Sequence, residues 1–167
     1  MVCASIQIRT PFAQVTSDEI DRQVAIDFRA TVELLQAALP PMKERGWGRV
    51  LTIGSINQLR PHPDLAVYAA LKSAQHNLSL NLARQYAPFN VMINNLSPGL
   101  VATERNRWRR EDAEEWRRIQ ATAAAPIGRA AQPDEMVGAA ILLCSEAASY
   151  IAGIDLMATG GAHLPQI

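Results

Sequence analysis

At 167 residues, with 49% hydrophobic and 19% charged side chains, the chain has a folding composition and enough length for one sizeable core. Sixteen basic and sixteen acidic side chains cancel to a formal net charge of zero, which excludes a global attraction to nucleic acid or to an anionic membrane surface. No apolar run reaches membrane-spanning length and the opening MVCASIQI has no leader-like pattern, so the expected location is cytoplasmic.

In chain order, Thr16-Ser17-Asp18-Glu19 has the pattern of a capping box. Ile20, Val24, Phe28, Val32, Leu35 and Leu39 follow at spacings of three or four, which predicts a long amphipathic helix ending near Pro40. Residues 48–55, GRVLTIGS, predict a short apolar strand running into Ser55, and a helix is expected from about Leu65 to Tyr86. Residues 91–97 read as a strand closed by Pro98-Gly99, residues 133–146 as a capped helix and residues 153–159 as the last strand. Strands alternating with long helices predict an α/β fold with a parallel sheet, and the lack of repeats or low-complexity linkers predicts one domain over 1–167. Cys3 and Cys144 are far apart and read as buried small hydrophobes. His62, His76 and His163 have no ligand-like spacing, so no metal is expected.

The chemistry is concentrated in one stretch. Tyr68 and Lys72 stand four residues apart, on one face of the expected helix, and Ser55 lies thirteen positions before Tyr68. A phenol needs help to exchange a proton near neutral pH. At an effective dielectric of about 20 and roughly 4 Å, a lysine ammonium favours the phenolate by about 4 kcal/mol, enough to draw a tyrosine pKa from about 10 toward about 7. That combination suits general acid–base catalysis. The chain has only two lysines against fourteen arginines, so Lys72 stands out; Lys43, beside Pro40-Pro41, reads as surface.

With INNLSPGLVATE (93–104) and PIGRAAQPDEMVGAAILLCSEAASYIAGIDLMATGG (126–161) following in order, the chain resembles the short-chain dehydrogenase/reductase family. The resemblance implies a truncated Rossmann-like doubly wound parallel sheet of about four strands with flanking helices, the C-terminal catalytic portion of the family fold. The start looks like the family's fourth strand, with Cys3-Ala4-Ser5 where Asn-Ala-Gly is usual. None of the nine glycines forms the clustered turn that holds a dinucleotide pyrophosphate, so roughly the first third of the family fold is expected to be missing. The family's roles would make Tyr68 the proton donor and acceptor, Ser55 a hydrogen-bond donor to the substrate oxygen, and Lys72 both a modulator of Tyr68 and a ligand of the nicotinamide ribose. Pro98, Gly99, Val101 and Thr103 would meet the nicotinamide end of NAD or NADP. A small alcohol or ketone is the implied substrate, and the helices around 18–39 and 66–86 imply homo-oligomer contacts.

Two further positions depart from the pattern. Asp27 stands in AIDFRA where the family has an Asn that helps to hold a relay water, and it could pair with Lys72 or anchor water. Thr159 replaces the usual Asp before the glycine pair, with an expected structural consequence. The segment 104–118 carries six Arg but a net charge of only +1, so a solvated helix over the substrate entrance is favoured above an anion site. Trp108 and Trp116 suit either a substrate pocket or packing beneath that helix. Gln58, Arg60 and His62 suit either substrate contact or a surface turn built by Pro61 and Pro63. Two functions of different class follow: an NAD(P)-dependent oxidoreductase, weak or inactive as this chain stands, or a catalytically silent structural or interaction protein.

Overall fold

The computed structural model of the chain describes residues 1–123 and 125–165. At its centre lie three parallel strands in the order β1 (Gly48–Ile53), β2 (Val91–Pro98) and β3 (Asp155–Ala158). Gly48 pairs with Val91 and Ile53 with Leu96; further along, Asn95 pairs with Asp155 and Pro98 with Ala158. Each parallel step requires a crossover, and helices supply them: α3 (Ala66–Tyr86) between β1 and β2, and α6 (Val137–Cys144) before β3. The expected α/β architecture is therefore present.

Successive strand residues point to opposite faces, so the sheet carries a core on each side. On one face Val50, Val91 and Ile93 pack with Leu35, Leu39 and Ala83 from the helices. On the other, Leu51 and Leu96 pack against Leu143 of α6.

The strand expected at the start is reduced to one bridge, Val2 with Thr52. Val2 donates to the Leu51 carbonyl at 2.8 Å and its own carbonyl accepts from Ile53 at 3.1 Å. By Ile6 the backbone N–H has turned away from the sheet and bonds Asp27 Oδ1 at 2.7 Å, which ends the pairing. The count is thus three strands and a bridge rather than about four strands. Cys3, expected inside, is exposed as a result.

The first long helix also differs. The Thr16 capping box forms as expected, with Glu19 N–H on Thr16 Oγ1 at 3.2 Å. Helix α1 (Ser17–Gln23) then widens into a π-helical turn over Val24–Arg29 and tightens again into α2 (Ala30–Glu44). It does not stop at Pro40 but runs through Pro40 and Pro41. A proline inside a helix costs about 3 kcal/mol; here Leu35, Leu39 and the partly buried Met42 anchor the helix to the core on both sides of the break.

At the N-terminal ends of the strands, the buried Arg49 guanidinium donates to the carbonyls of Gly48 (2.8 Å), Asn90 (3.0 Å) and Ser145 (3.2 Å) and pairs with Glu146 at 3.2 Å. The opposite end of the sheet, beyond Ile53 and Pro98, holds the candidate site.

Candidate active site

Strand β1 ends in Ile53-Gly54-Ser55. Gly54 is required by close approach: a Cβ there would collide with Asn95 Nδ2 and come within 2.6 Å of Ser97 Oγ. Ser55 is buried in extended backbone, and its Oγ accepts the Asn57 N–H at 3.2 Å, starting the short turn Ile56–Gln58. Helix α3 turns Tyr68, Lys72, Gln75, Ser79 and Ala83 onto one buried face, the spacing that aligns side chains along a helix.

Lys72 is only 2% exposed, and its Nζ donates to the Ile53 carbonyl at 2.7 Å and to Gln75 Oε1 at 3.2 Å. Gln75 in turn donates to Thr31 Oγ1 at 3.2 Å. These bonds tie α3 to the C-terminal end of β1 and to α2. An ammonium has three donors, so one remains for a further acceptor. Ser79 continues the polar line: its Oγ lies 3.0 Å from Thr52 Oγ1, which donates to Asn95 Oδ1 at 2.8 Å. Asn95 donates to Ser97 Oγ (3.0 Å) and to Asp155 Oδ1 (2.8 Å), so the polar network crosses all three strands.

The expected effect of Lys72 on Tyr68 is not what the geometry gives. The Lys72 ammonium sits 5.8 Å from the centroid of the Tyr68 ring, with its bonds committed to Ile53 and Gln75 rather than to the phenol oxygen. Burial of the phenol dominates and raises its pKa above 10, against smaller lowering effects of the Ser55 hydroxyl and of the Arg105 charge. Lys72 itself is lowered by burial, partly offset by the nearby Asp27 charge. Tyr68 is therefore held as a neutral phenol, the proton-donating form.

Asp27 lies in the π-helical turn and is 0% exposed. Such turns inside α-helices recur at functional sites because they redirect one side chain. Its Oδ1 takes the Ile6 N–H, and burial raises its pKa above the ordinary carboxylate value despite that bond and the nearby Lys72 charge. Of the two expected roles, direct pairing with Lys72 is absent among the described residues; the two groups interact only through their fields.

Pro98 closes β2 at the same end of the sheet. Gly99 donates to the Ala158 carbonyl at 3.0 Å, and a Cβ on it would meet Thr159 Cα at 3.0 Å, so its small size is a requirement of the fold itself. Val101 bridges to Ala131, and its carbonyl accepts from Asn106 Nδ2 at 2.8 Å; Thr103 N–H donates to Asn106 Oδ1 at 3.0 Å. Thr159 is buried with Oγ1 2.6 Å from His163 Nδ1, the structural role expected of it.

Beyond this loop, the charged segment divides into α4 (Arg107–Arg110) and α5 (Ala113–Ala123). Trp108 is 65% exposed and stacks against the Arg109 guanidinium, so it is not packed beneath the helix. Gln58 Nε2 is drawn inward to Ser97 Oγ (3.1 Å) and to Asp155, while Arg60 binds the Ala123 and Ala162 carbonyls. His62 faces Arg9 at 3.2 Å. One residue escaped the sequence reading: Arg105 Nη2 donates to the Ser5 carbonyl at 2.9 Å, and its charge reaches Tyr68, Asp27 and Lys72. Within a run of six arginines nothing in the sequence distinguishes it.

A parallel sheet with a serine, tyrosine and lysine gathered at the carboxyl ends of its strands places the protein in the Rossmann-like class. The family model described as enoyl-(acyl carrier protein) reductase matches residues 1–163, and the chain belongs to the short-chain dehydrogenase/reductase family. It is 38% identical over 141 residues to dehydrogenase/reductase SDR family member 4 of Bos taurus, covering 84% of this chain and 50% of that protein. A 3-oxoacyl (acyl-carrier-protein) reductase from Agrobacterium tumefaciens C58, solved with NADP bound, superposes with a TM-score of 0.91 at 48% identity, covering 95% of this chain and 61% of that one. A gluconate 5-dehydrogenase from Burkholderia cenocepacia J2315, in complex with NADP and tartrate, also gives 0.91, at 31% identity and 98% and 63% coverage. The chain spans about half the length of the curated relatives it matches.

Proposed function

We propose that the chain is the catalytic portion, a single domain over 1–167, of an NAD(P)-dependent oxidoreductase that interconverts a secondary alcohol and a ketone. The observation that carries this reading is the convergence of Ser55, the buried Tyr68 and Lys72 at one end of the sheet. The NADP bound in the two neighbours supports the cofactor class.

The residues present fit the nicotinamide end of such a cofactor: Lys72 keeps a free donor for a ribose hydroxyl, and Pro98, Gly99, Val101 and Thr103 border the same end of the sheet. No glycine cluster among these 167 residues offers a pyrophosphate cradle. A bound nicotinamide would supply or accept the hydride. Ser55 would hydrogen-bond the carbonyl oxygen as charge develops on it, and Tyr68 would give that oxygen its proton. Lys72, 5.8 Å from the Tyr68 ring centroid, would place a positive charge near the phenolate left behind.

The second reading is a catalytically silent structural or interaction protein. Calorimetry with NADH and NADPH, with Lys72→Ala as control, separates the two. Saturable binding lost in the variant supports the oxidoreductase and justifies a ketone panel with Tyr68→Phe. No binding up to millimolar cofactor means that the chain is silent as it stands. Homo-oligomer contacts through α2 and α3 and a cytoplasmic location belong to the same proposal.

A further inference from the structure

His62, in the loop between Ser55 and Tyr68, is faced by two hydrogen-bond donors. The Asp64 N–H points at its Nδ1 from 3.3 Å, and Arg9 Nη1 lies 3.2 Å from its Nε2. A neutral imidazole has one lone pair and one N–H, and an imidazolium has no lone pair, so the two contacts cannot both be hydrogen bonds. The backbone donor is the one that cannot move: the His62 carbonyl accepts from Leu65 at 3.1 Å and the Asp64 carbonyl from Thr10 at 3.2 Å. Arg9 is exposed, on a long side chain that pairs with no carboxylate among the described residues. The lone pair therefore belongs to the Asp64 N–H, and Nε2 carries the proton. Nε2–H and the Arg9 guanidinium then meet donor to donor, and both lack an acceptor.

The surroundings favour an anion. Of the arginines in 104–118, Arg107 and Arg118 pair with Glu104 and Glu115, whereas Arg105, Arg109 and Arg110 meet no carboxylate among the described residues, and Arg110 Nε is buried without a partner. The Arg109 charge reaches both Arg9 and His62, and Asp64 offsets part of it. The place adjoins the candidate site. Ile8 and Thr10 of the opening segment line a small cleft with Asp64, Ala66 and Val67, next to Tyr68 in the first turn of α3, and Arg105 ties the segment after β2 to Ser5.

We propose that Arg9 and His62 anchor a carboxylate of the substrate, one carboxylate oxygen accepting from both the Arg9 guanidinium and the His62 Nε2–H. The substrate class is then an oxo acid and the matching hydroxy acid rather than a neutral ketone and alcohol. This deepens the proposed oxidoreductase and rests on it. Hydrogen bonds from a guanidinium to a carboxylate are among the strong ones, and planar geometry adds selectivity. A singly charged carboxylate suits the place better than a phosphate dianion, which would meet more repulsion from Asp64. Arg9 and His62 recognise the group and take no part in proton transfer.

The test is NMR of the chain without cofactor, isotope-labelled in its histidine and tyrosine rings, with signals assigned by their loss in His62→Gln and Tyr68→Phe. At about pH 7 the His62 ring is expected as the Nε2–H tautomer. Pyruvate, a small ketone that carries a carboxylate, is expected at constant ionic strength to shift His62 Nε2 saturably and to move the Tyr68 signal with the same midpoint. Acetone should leave His62 unmoved. Arg9→Gln should raise the pyruvate midpoint by about tenfold, the loss of one charge-assisted hydrogen bond. Arg107→Gln, at a surface pair, should leave it unchanged. An Nδ1–H tautomer, the lack of a saturable shift, a Tyr68 signal that stays in place, or a lower midpoint for inorganic phosphate than for pyruvate would each overturn the anchor. Pyruvate binding without NADH or NADPH binding keeps the anchor and sinks the oxidoreductase; cofactor binding without pyruvate binding does the reverse.

Discussion

The sheet with α3 and α6 and the charged segment after β2 are both helix-bearing regions that border the candidate site, yet they are built on different principles. The first buries polar groups and satisfies them: Lys72, Gln75, Ser79, Thr52 and Asn95 form one connected network between apolar layers. The second exposes its large side chains and holds its charges in surface pairs such as Arg107–Glu104. The difference teaches where precision resides. Groups that must keep fixed geometry sit where burial makes any misplacement costly, whereas the charged segment reaches the opening strand segment through Arg105, in the turn before α4.

Four changes sharpen the contrast, in falling order of effect. Leu143→Ala, at the centre of one apolar layer, is expected to lower stability by about 2–5 kcal/mol in urea unfolding. Asn95→Ala removes one hydrogen bond from a partner on each of the three strands and should cost about 1–3 kcal/mol by the same measurement.

Asp27→Asn is expected to stabilise the fold at neutral pH, because the amide carries no charge into the buried position. The sign follows from the raised folded-state pKa. Above the unfolded value of 3.8 the unfolded chain ionises first, so the natural protein loses stability as pH rises through this window, and the Asn variant does not. The advantage of Asn should therefore vanish below about pH 3.8 and be complete above the folded midpoint, as read by thermal melts across pH. Last, Trp108→Ala, on the exposed α4, should stay within about 0.5 kcal/mol; a larger loss would remove the distinction between the two regions.

Much of this was legible in the residues. Apolar runs marked β1 and β2, and the spacing of Tyr68 and Lys72 placed both on one face of α3. Three features were not legible. The opening strand shrinks to Val2 because Ile6 turns to Asp27, a contact 21 residues away in sequence. The helix runs through Pro40-Pro41 because packing of Leu35, Leu39 and Met42 outweighs local propensity. The shift of Tyr68 has the opposite sign to the one charge spacing suggests, since burial is a property of the folded surroundings and spacing carries no information about it.

The Arg49 clasp has a consequence for how this fold tolerates change. A single side chain secures the start of β1, the turn before β2 and the end of α6, at the pole of the sheet opposite the candidate site. Durability and chemistry are thereby assigned to separate poles. New loops can be drafted at the pole of the candidate site while the clasp keeps the strands aligned.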